Sequence, residues 1–335
     1  MRAVSIKNGK GPVDALYIDD SVSEPELKNG EVLIRVKAFA LNRMDLMQRE
    51  GKYPVPAGTS SILGVDYSGT VLKIPPGTKT PLQEGDDVFG LVKGGAYAEL
   101  LAAPVETIFL KPKELSHEVA ASIPEVWFTA TQVLLEVGEF KNGESLLFHA
   151  GASAVGIAAI QLAQLHNAKY VFATVGSDSK KEAVKKLQLK NSPTKIIPIN
   201  YNSEEFVDVI KENSPEGVDV IIDPVGGIYF TRNVSILKLD GRDVVMGSMT
   251  DTNVKFDLLA VMLKRLQIKG TTLRSRPLAY QGKIADIVKA EILPKIVSGD
   301  LLHPIEKVFK LEEIVEAHKL MESNKTTGKI VVTIP

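Results

Sequence analysis

From residue 1 to about 122 the apolar positions come in short, β-branched runs broken by Gly, Pro and Asp: Val32–Val36, Tyr67–Ile74, Asp87–Leu91 and Ala96–Leu101. Such runs predict the strands of an irregular, β-rich domain. From about 123 the texture changes. Apolar stretches of strand length now alternate with segments of helical period, the pattern of βαβ units wound around a parallel sheet. The spacing predicts strands at 145–149, 170–175, 195–199, 218–222, 243–246 and 267–272, with helices over 155–165, 180–187, 204–212 and 229–236. Beyond about 275 it predicts a helix over 282–298, a strand at 306–309, a helix over 311–322 and a last strand at 329–334. The fold class expected is α/β, with a six-stranded, doubly wound parallel sheet in the second part of the chain.

Length agrees with more than one domain, since 335 residues exceed the usual size of a single hydrophobic core. Forty Lys and Arg stand against forty-one Asp and Glu, a formal net charge of -1. No global positive field is available to draw the chain to nucleic acid or to an anionic membrane, so neither is expected as a primary ligand. The chain has no cysteine, which removes disulfides, thiolate nucleophiles and Cys-based zinc sites together. Its histidines, at 117, 149, 166, 303 and 318, are too scattered to suggest a metal centre, and each reads as a surface or satisfied core residue. No apolar run approaches the roughly 18 residues of a membrane span. The opening Met-Arg-Ala-Val-Ser-Ile runs straight into turn residues at Asn8–Pro12, so the expected location is cytoplasmic.

The strongest local signal is His149-Ala150-Gly151-Ala152-Ser153-Ala154-Val155-Gly156, between a predicted strand and a predicted helix. Small residues there let the backbone approach a pyrophosphate, and free N–H groups with the helix dipole at Val155 and Gly156 favour its charge. Ser153 adds a hydroxyl donor. The loop departs from G-x-G-x-x-G, because Ser153 and Ala154 occupy its middle; the six-strand context makes it a dinucleotide loop of Rossmann type. After the second strand comes Gly176-Ser177-Asp178-Ser179-Lys180-Lys181, with no acid at the strand end and two lysines opening a helix. A 2′-phosphate suits that arrangement, so NADPH is the expected cofactor. The alternative is that Asp178 holds the ribose of NAD while the lysines form a solvated face. Tyr201 closes the third strand, where it either lies against the adenosine end or is simply buried. Gly226 follows the fourth strand and Gly247-Ser248-Met249 the fifth, both at the carboxyl edge where ligands bind.

Several stretches in order give a family resemblance: Ala40–Arg49, Gly51-Lys52-Tyr53, Ile62-Leu63-Gly64, Ile123-Pro124-Glu125, the loop at 149–156, Leu273-Arg274-Ser275-Arg276 and Gly328-Lys329-Ile330-Val331. Over essentially its whole length the chain resembles the zinc-free, zeta-crystallin-type quinone oxidoreductases of the medium-chain dehydrogenase/reductase family, in their tumour-suppressor-inducible branch. The resemblance implies a GroES-like catalytic domain from 1–122 and 275–335, a Rossmann NADPH-binding domain from 123–274, and a homodimer joined through Rossmann sheet edges. Zinc-dependent relatives carry Cys near the position of Asn42 and Gly-His-Glu where this chain reads Gly64-Val65-Asp66. Neither ligand is present. By similarity, Asn42, Tyr53 and Thr129 border the nicotinamide, Lys180 and Tyr201 the adenosine phosphate, and Ser248 and Met249 the nicotinamide side. Arg274, Asn324 and Lys329 are further candidates for the cofactor, although Arg274 and Arg276 serve equally well at a helix terminus or in surface ion pairs.

Without zinc to polarise a carbonyl, simple ketones are poor hydride acceptors, whereas quinones and conjugated enones accept hydride readily. The expected activity is therefore NADPH-dependent quinone reduction, with enone or 2-alkenal reduction and a non-enzymatic, RNA-associated role as alternatives. Tyr53 is the candidate proton donor to the acceptor oxygen, unless it only walls the pocket, and Asn42 the candidate orienting residue.

Overall fold

The computed structural model describes residues 1–335 and divides into two compact units: 1–128 with 274–298 and 303–335, and 129–273 with 299–302. The helix Pro124–Thr131 runs through the first of these boundaries.

The first unit is organised by a seven-stranded sheet. Its central strand, Glu31–Ala40, buries Val32, Ile34, Val36 and Ala38 in strict alternation, as a strand with one covered face must. The alternation ends at Phe39 and Ala40, where both faces are covered. Ala38 and Ala40 there pack with Val331 and with Ala121 of the short helix His117–Ser122. This strand pairs antiparallel with Asp66–Lys73, Leu100–Pro104 and Lys329–Thr333. A parallel pair, Ile305–Lys310 on Lys329–Thr333, closes one edge. The expected strand at Ala96–Leu101 is corrected: the strand begins at Leu100. Gly94 and Gly95 take positive φ, and the chain they redirect buries Tyr97 against Phe39, ring centroids 4.2 Å apart, before it joins the sheet. Helix Arg43–Arg49, which the strand pattern passed over, follows at once on the central strand.

The second unit is the parallel sheet. Its strands are β1 (Leu146–Phe148), β2 (Tyr170–Val175), β3 (Lys195–Asn200), β4 (Val218–Asp223), β5 (Leu237–Val245) and β6 (Gln267–Gly270). Their order is β3-β2-β1-β4-β5-β6, all parallel, so the chain winds outward twice from β1. Helices α1 (Ala154–Leu165), α2 (Asp178–Lys185), α3 (Phe206–Asn213), α4 (Phe230–Ile236) and α5 (Leu258–Leu263) connect them. Residues 220–223 of β4 are buried without a break, as expected of a strand covered on both faces. β5 starts earlier than the pattern suggested, at Leu237, with a register irregularity against β4 between Val218 and Val220. The crossing from β1 to β4 places the carboxyl ends of these two strands side by side, the switch point where doubly wound sheets hold ligands.

Candidate functional site

At the switch point the loop after β1 turns through Ala150, whose φ of 59° is left-handed. That conformation costs an alanine on the order of 1 kcal/mol and suits glycine. The strained position of the loop is thus Ala150, whereas Ala154, where the sequence departs from the glycine pattern, is the first residue of α1. Ser153 caps α1, its hydroxyl accepting from the Gly156 amide at 3.1 Å. The amides of Ala154 and Val155 cannot pair within the helix and point along its axis toward the loop. Gly156 is required by its neighbours: a Cβ there would stand 2.7 Å from the Gly151 carbonyl oxygen. At Gly151 a Cβ would meet that of Ala173 at 2.6 Å, so Gly151 and buried Ala152 keep the loop close on β2. Together these make an anion cradle of backbone donors at a helix N-terminus, and a pyrophosphate fits it.

Next to the cradle, Gly176 follows directly on β2, and a Cβ there would lie 2.5 Å from the Tyr201 hydroxyl. Tyr201 is 49% exposed, so its ring lies over Gly176 and faces solvent rather than the core. Ser177 caps α2 by accepting from the Lys180 amide at 3.3 Å. Asp178 is occupied, accepting from Asn200 Nδ2 at 2.9 Å. Lys181 is ion-paired with Glu204 at 2.5 Å, and Lys180 lies half-buried in the first turn of α2. Across the switch point Gly226 sits at φ 71°, and a Cβ there would approach the Ser248 hydroxyl to 3.1 Å. The loop bearing Gly247, Ser248 and Met249 is tied to it, the Met249 amide donating to the Val225 carbonyl at 3.0 Å. Met249 is 53% exposed, and Thr129 is buried at the start of the unit.

In the first unit the candidate residues fall into a buried polar cluster that the sequence reading did not foresee. Lys329 is 2% exposed, and its ammonium donates to the Leu41 carbonyl at 2.9 Å, Asn42 Oδ1 at 2.8 Å and Asp66 Oδ2 at 2.9 Å. All three of its protons are committed. Lys329 is here the cation of a buried ion pair with Asp66. Asn42 is engaged at both ends, its Nδ2 donating to Asp66 at 2.9 Å, while its backbone amide donates to Asp45 at 2.8 Å to start helix Arg43–Arg49. The other oxygen of Asp66 accepts from the Glu125 amide at 2.6 Å. Asp45 also accepts from Tyr97, and burial raises its carboxyl to about pKa 6. A zinc ion does not fit here. Val65 is an aliphatic core residue, Asn42 and Asp66 already hold an ammonium, and no group of three His, Cys, Asp or Glu side chains converges to hold a metal.

Arg274, 4% exposed, donates to the Lys93 carbonyl at 2.6 Å and to Gln48 at 2.7 Å, while its Nη2 is buried without a partner. Its guanidinium lies 5.5 Å from the centre of the Tyr53 ring. Burial, then the Glu125 carboxylate, raise the Tyr53 phenol above its ordinary value, so it carries its proton at neutral pH. Asn324 follows helix Ile314–Glu322 at φ 57° and accepts from Arg43, the chain neighbour of Asn42, at 2.6 Å. Of this cluster, Asn42 and Lys329 stand out in the sequence, whereas Asp45 and Asp66 carry no local signal of their role.

Residues 28–113 match the family model described as alcohol dehydrogenase GroES-like domain, and residues 154–289 the one described as zinc-binding dehydrogenase. The human synaptic vesicle membrane protein VAT-1 homolog is 30% identical, the match covering 98% of this chain and 85% of that protein. The 2-methylene-furan-3-one reductase of Solanum lycopersicum is 31% identical over 96% of this chain and 76% of its own. Among solved structures, the quinone oxidoreductase from Coxiella burnetii superposes with a TM-score of 0.82 at 30% identity, covering 100% of this chain and 99% of that one. A mycobacterial protein solved with NADPH gives 0.85 at 26% identity, with 99% of each chain covered.

Proposed function

The chain belongs to the medium-chain dehydrogenase/reductase family, and from that premise we propose that it is an NADPH-dependent quinone oxidoreductase working without zinc. The observation that carries the reading is the pairing of an amide cradle at Ala154–Gly156 with a first-unit cluster whose metal-binding positions are filled by the Lys329 ammonium. A family oxidoreductase with that cluster has no Lewis acid in its donor set. Its acceptor must therefore be electron-poor already, as a quinone is. The quinone oxidoreductase from Coxiella burnetii supports the same class.

Bound NADPH supplies the hydride. The chain's own residues bind and orient. Ala150–Gly156 receive the pyrophosphate, Lys180 the 2′-phosphate, with Ser177 holding the first turn of α2 in place. Reduction of a quinone to a hydroquinone consumes one hydride and one proton in all: hydride addition leaves the hydroquinone monoanion, and a single proton neutralises it. The raised Tyr53 phenol is the proton donor, and a positioned donor of this kind contributes about a hundredfold to a rate. The unpaired Nη2 of Arg274 holds charge beside the Tyr53 ring.

A homodimer is part of this proposal. At the β6 edge Leu258, Leu259, Met262 and Leu263 of α5 are each more than half exposed, an apolar face that a second copy would cover. Enone reduction is the second reading, supported by the 2-methylene-furan-3-one reductase. Tyr53→Phe tests the role of the phenol: turnover on a quinone should fall by about a hundredfold while NADPH affinity holds, and unchanged turnover removes the proton-donor role.

A further inference from the structure

We propose that Asn233 is a positioning residue that joins the pyrophosphate loop to the loop after β4 through a one-way relay of buried hydrogen bonds, so that the two loops act as one. The inference rests on the reading that a nicotinamide dinucleotide lies along these loops.

The relay is read from its most constrained member. Asn233, on α4, is fully buried, and its Nδ2 faces two carboxyl groups: Asp223 at 3.0 Å and, at 3.3 Å, Asp243, whose pKa burial and the neighbouring Asp223 charge raise to about 8. The Asp223 carboxylate, which also accepts from two backbone amides, can only accept, so the amide nitrogen must lie on that side. Oδ1 is then the atom that faces His149 Nε2 at 2.8 Å, and it can only accept. The ring proton of His149 is thereby fixed on Nε2. Burial lowers the affinity of this imidazole for a second proton, so Nδ1 presents a lone pair. That lone pair receives the Thr174 hydroxyl at 3.1 Å. The Thr174 oxygen in turn accepts from the Ala150 amide at 3.2 Å.

The direction therefore runs from Ala150 through Thr174, His149 and Asn233 to Asp223, with Asp243 as a second acceptor on Asn233. At the far end, Asp223 Oδ1 accepts from the amides of Val225 at 2.7 Å and Gly226 at 2.8 Å. The relay begins on the left-handed residue of the pyrophosphate loop and ends on the glycine that opens the loop after β4. Val225 carries it one step further, because its carbonyl accepts from the amides of Met249 and Thr250. None of the four side chains of the relay, Thr174, His149, Asn233 and Asp223, reaches solvent. Their hydrogen bonds are arranged to hold three loop ends in one geometry, a use that core packing alone would not require.

The experiment reads backbone amide exchange in peptides covering 150–156 and 224–228, with and without two probes: NADPH, and its adenosine-bisphosphate fragment, which lacks nicotinamide. Thr174→Val breaks the relay without stranding a charge, and Asn233→Leu breaks it at its centre. In the ligand-free protein, Thr174→Val should speed exchange at 224–228 about fivefold, the worth of one hydrogen bond, although residue 174 lies on another strand. In the wild type the fragment should slow exchange at 224–228. In both variants it should still bind but leave 224–228 unprotected. Unchanged ligand-free exchange at 224–228 in Thr174→Val, with Asn233→Leu either unfolded or equally silent, overturns the relay whatever binds. Equal protection by the fragment in variant and wild type overturns it as well. Relay-dependent exchange without binding of either probe would instead sink the dinucleotide reading, and with it the positioning role, while leaving the hydrogen-bond chain standing.

Discussion

Lys329→Met should unfold the first unit far more easily while sparing dinucleotide binding. Lys329 is 2% exposed and Asp66 is fully buried, with 2.9 Å between ammonium and carboxylate. Removing the cation leaves Asp66 with only Asn42 Nδ2 and the Glu125 amide to offset its charge, and strips a donor from the Leu41 carbonyl. Breaking a buried pair from one side costs about 3–5 kcal/mol. With a urea slope of about 2–3 kcal/mol/M, the midpoint should fall by about 1–2 M. The chain supplies its own reporter: Trp127 is its one tryptophan, fully buried in the first unit. The double variant Asp66→Asn with Lys329→Met removes the stranded charge and should recover at least about 1 kcal/mol relative to the single one. A midpoint shift below about 0.3 M, together with a clear loss of NADPH affinity, would refute the reasoning and return Lys329 to the cofactor.

Three further outcomes follow from the same geometry. Burial raises Asp45 from 3.8 to about 6, so the folded state holds a proton that the unfolded state has released. Stability should therefore fall as pH rises from about 4 to about 6, by about 3 kcal/mol, and level off above; Asp45→Asn should flatten that segment in Trp127-monitored urea titrations. Lys180→Ala should weaken NADPH binding about tenfold and leave NADH binding unchanged in a fluorescence titration, since only the former carries a 2′-phosphate. Leu258→Asp with Met262→Asp should convert a dimer to monomers in analytical ultracentrifugation, and a monomeric wild type would remove the dimer proposal.

The parallel sheet was legible because most of its strands carry apolar runs between turn residues; β2 coincides with its expected span, and β3 and β4 each extend one residue beyond theirs. Ends and short helices were less so. Ala96–Leu101 reads as a strand by composition, but two positive-φ glycines ahead of it send Tyr97 into the core instead. Helix Arg43–Arg49 has only seven residues and starts on a side-chain-to-backbone contact, which leaves too little periodicity to read. The loop at 149–156 was visible in local sequence, because strand, small residues and helix follow one another directly. The partner of Lys329 was not: Asp66 stands 263 positions away, and pairing at that separation is fixed by the sheet. The relay through Asn233 was hidden for the same reason, with its members contributed by β2, β4, α4 and the end of β1.

Steady-state oxidation of NADPH and of NADH, each offered an ortho-quinone and a medium-chain enal, tests the central claim most directly. Fastest turnover with NADPH and the quinone is the expected result. Preference for the enal would contradict quinone reduction and favour the enone reading, equal use of NADH would contradict the role of Lys180, and no turnover with either acceptor despite tight NADPH binding would contradict an enzymatic function.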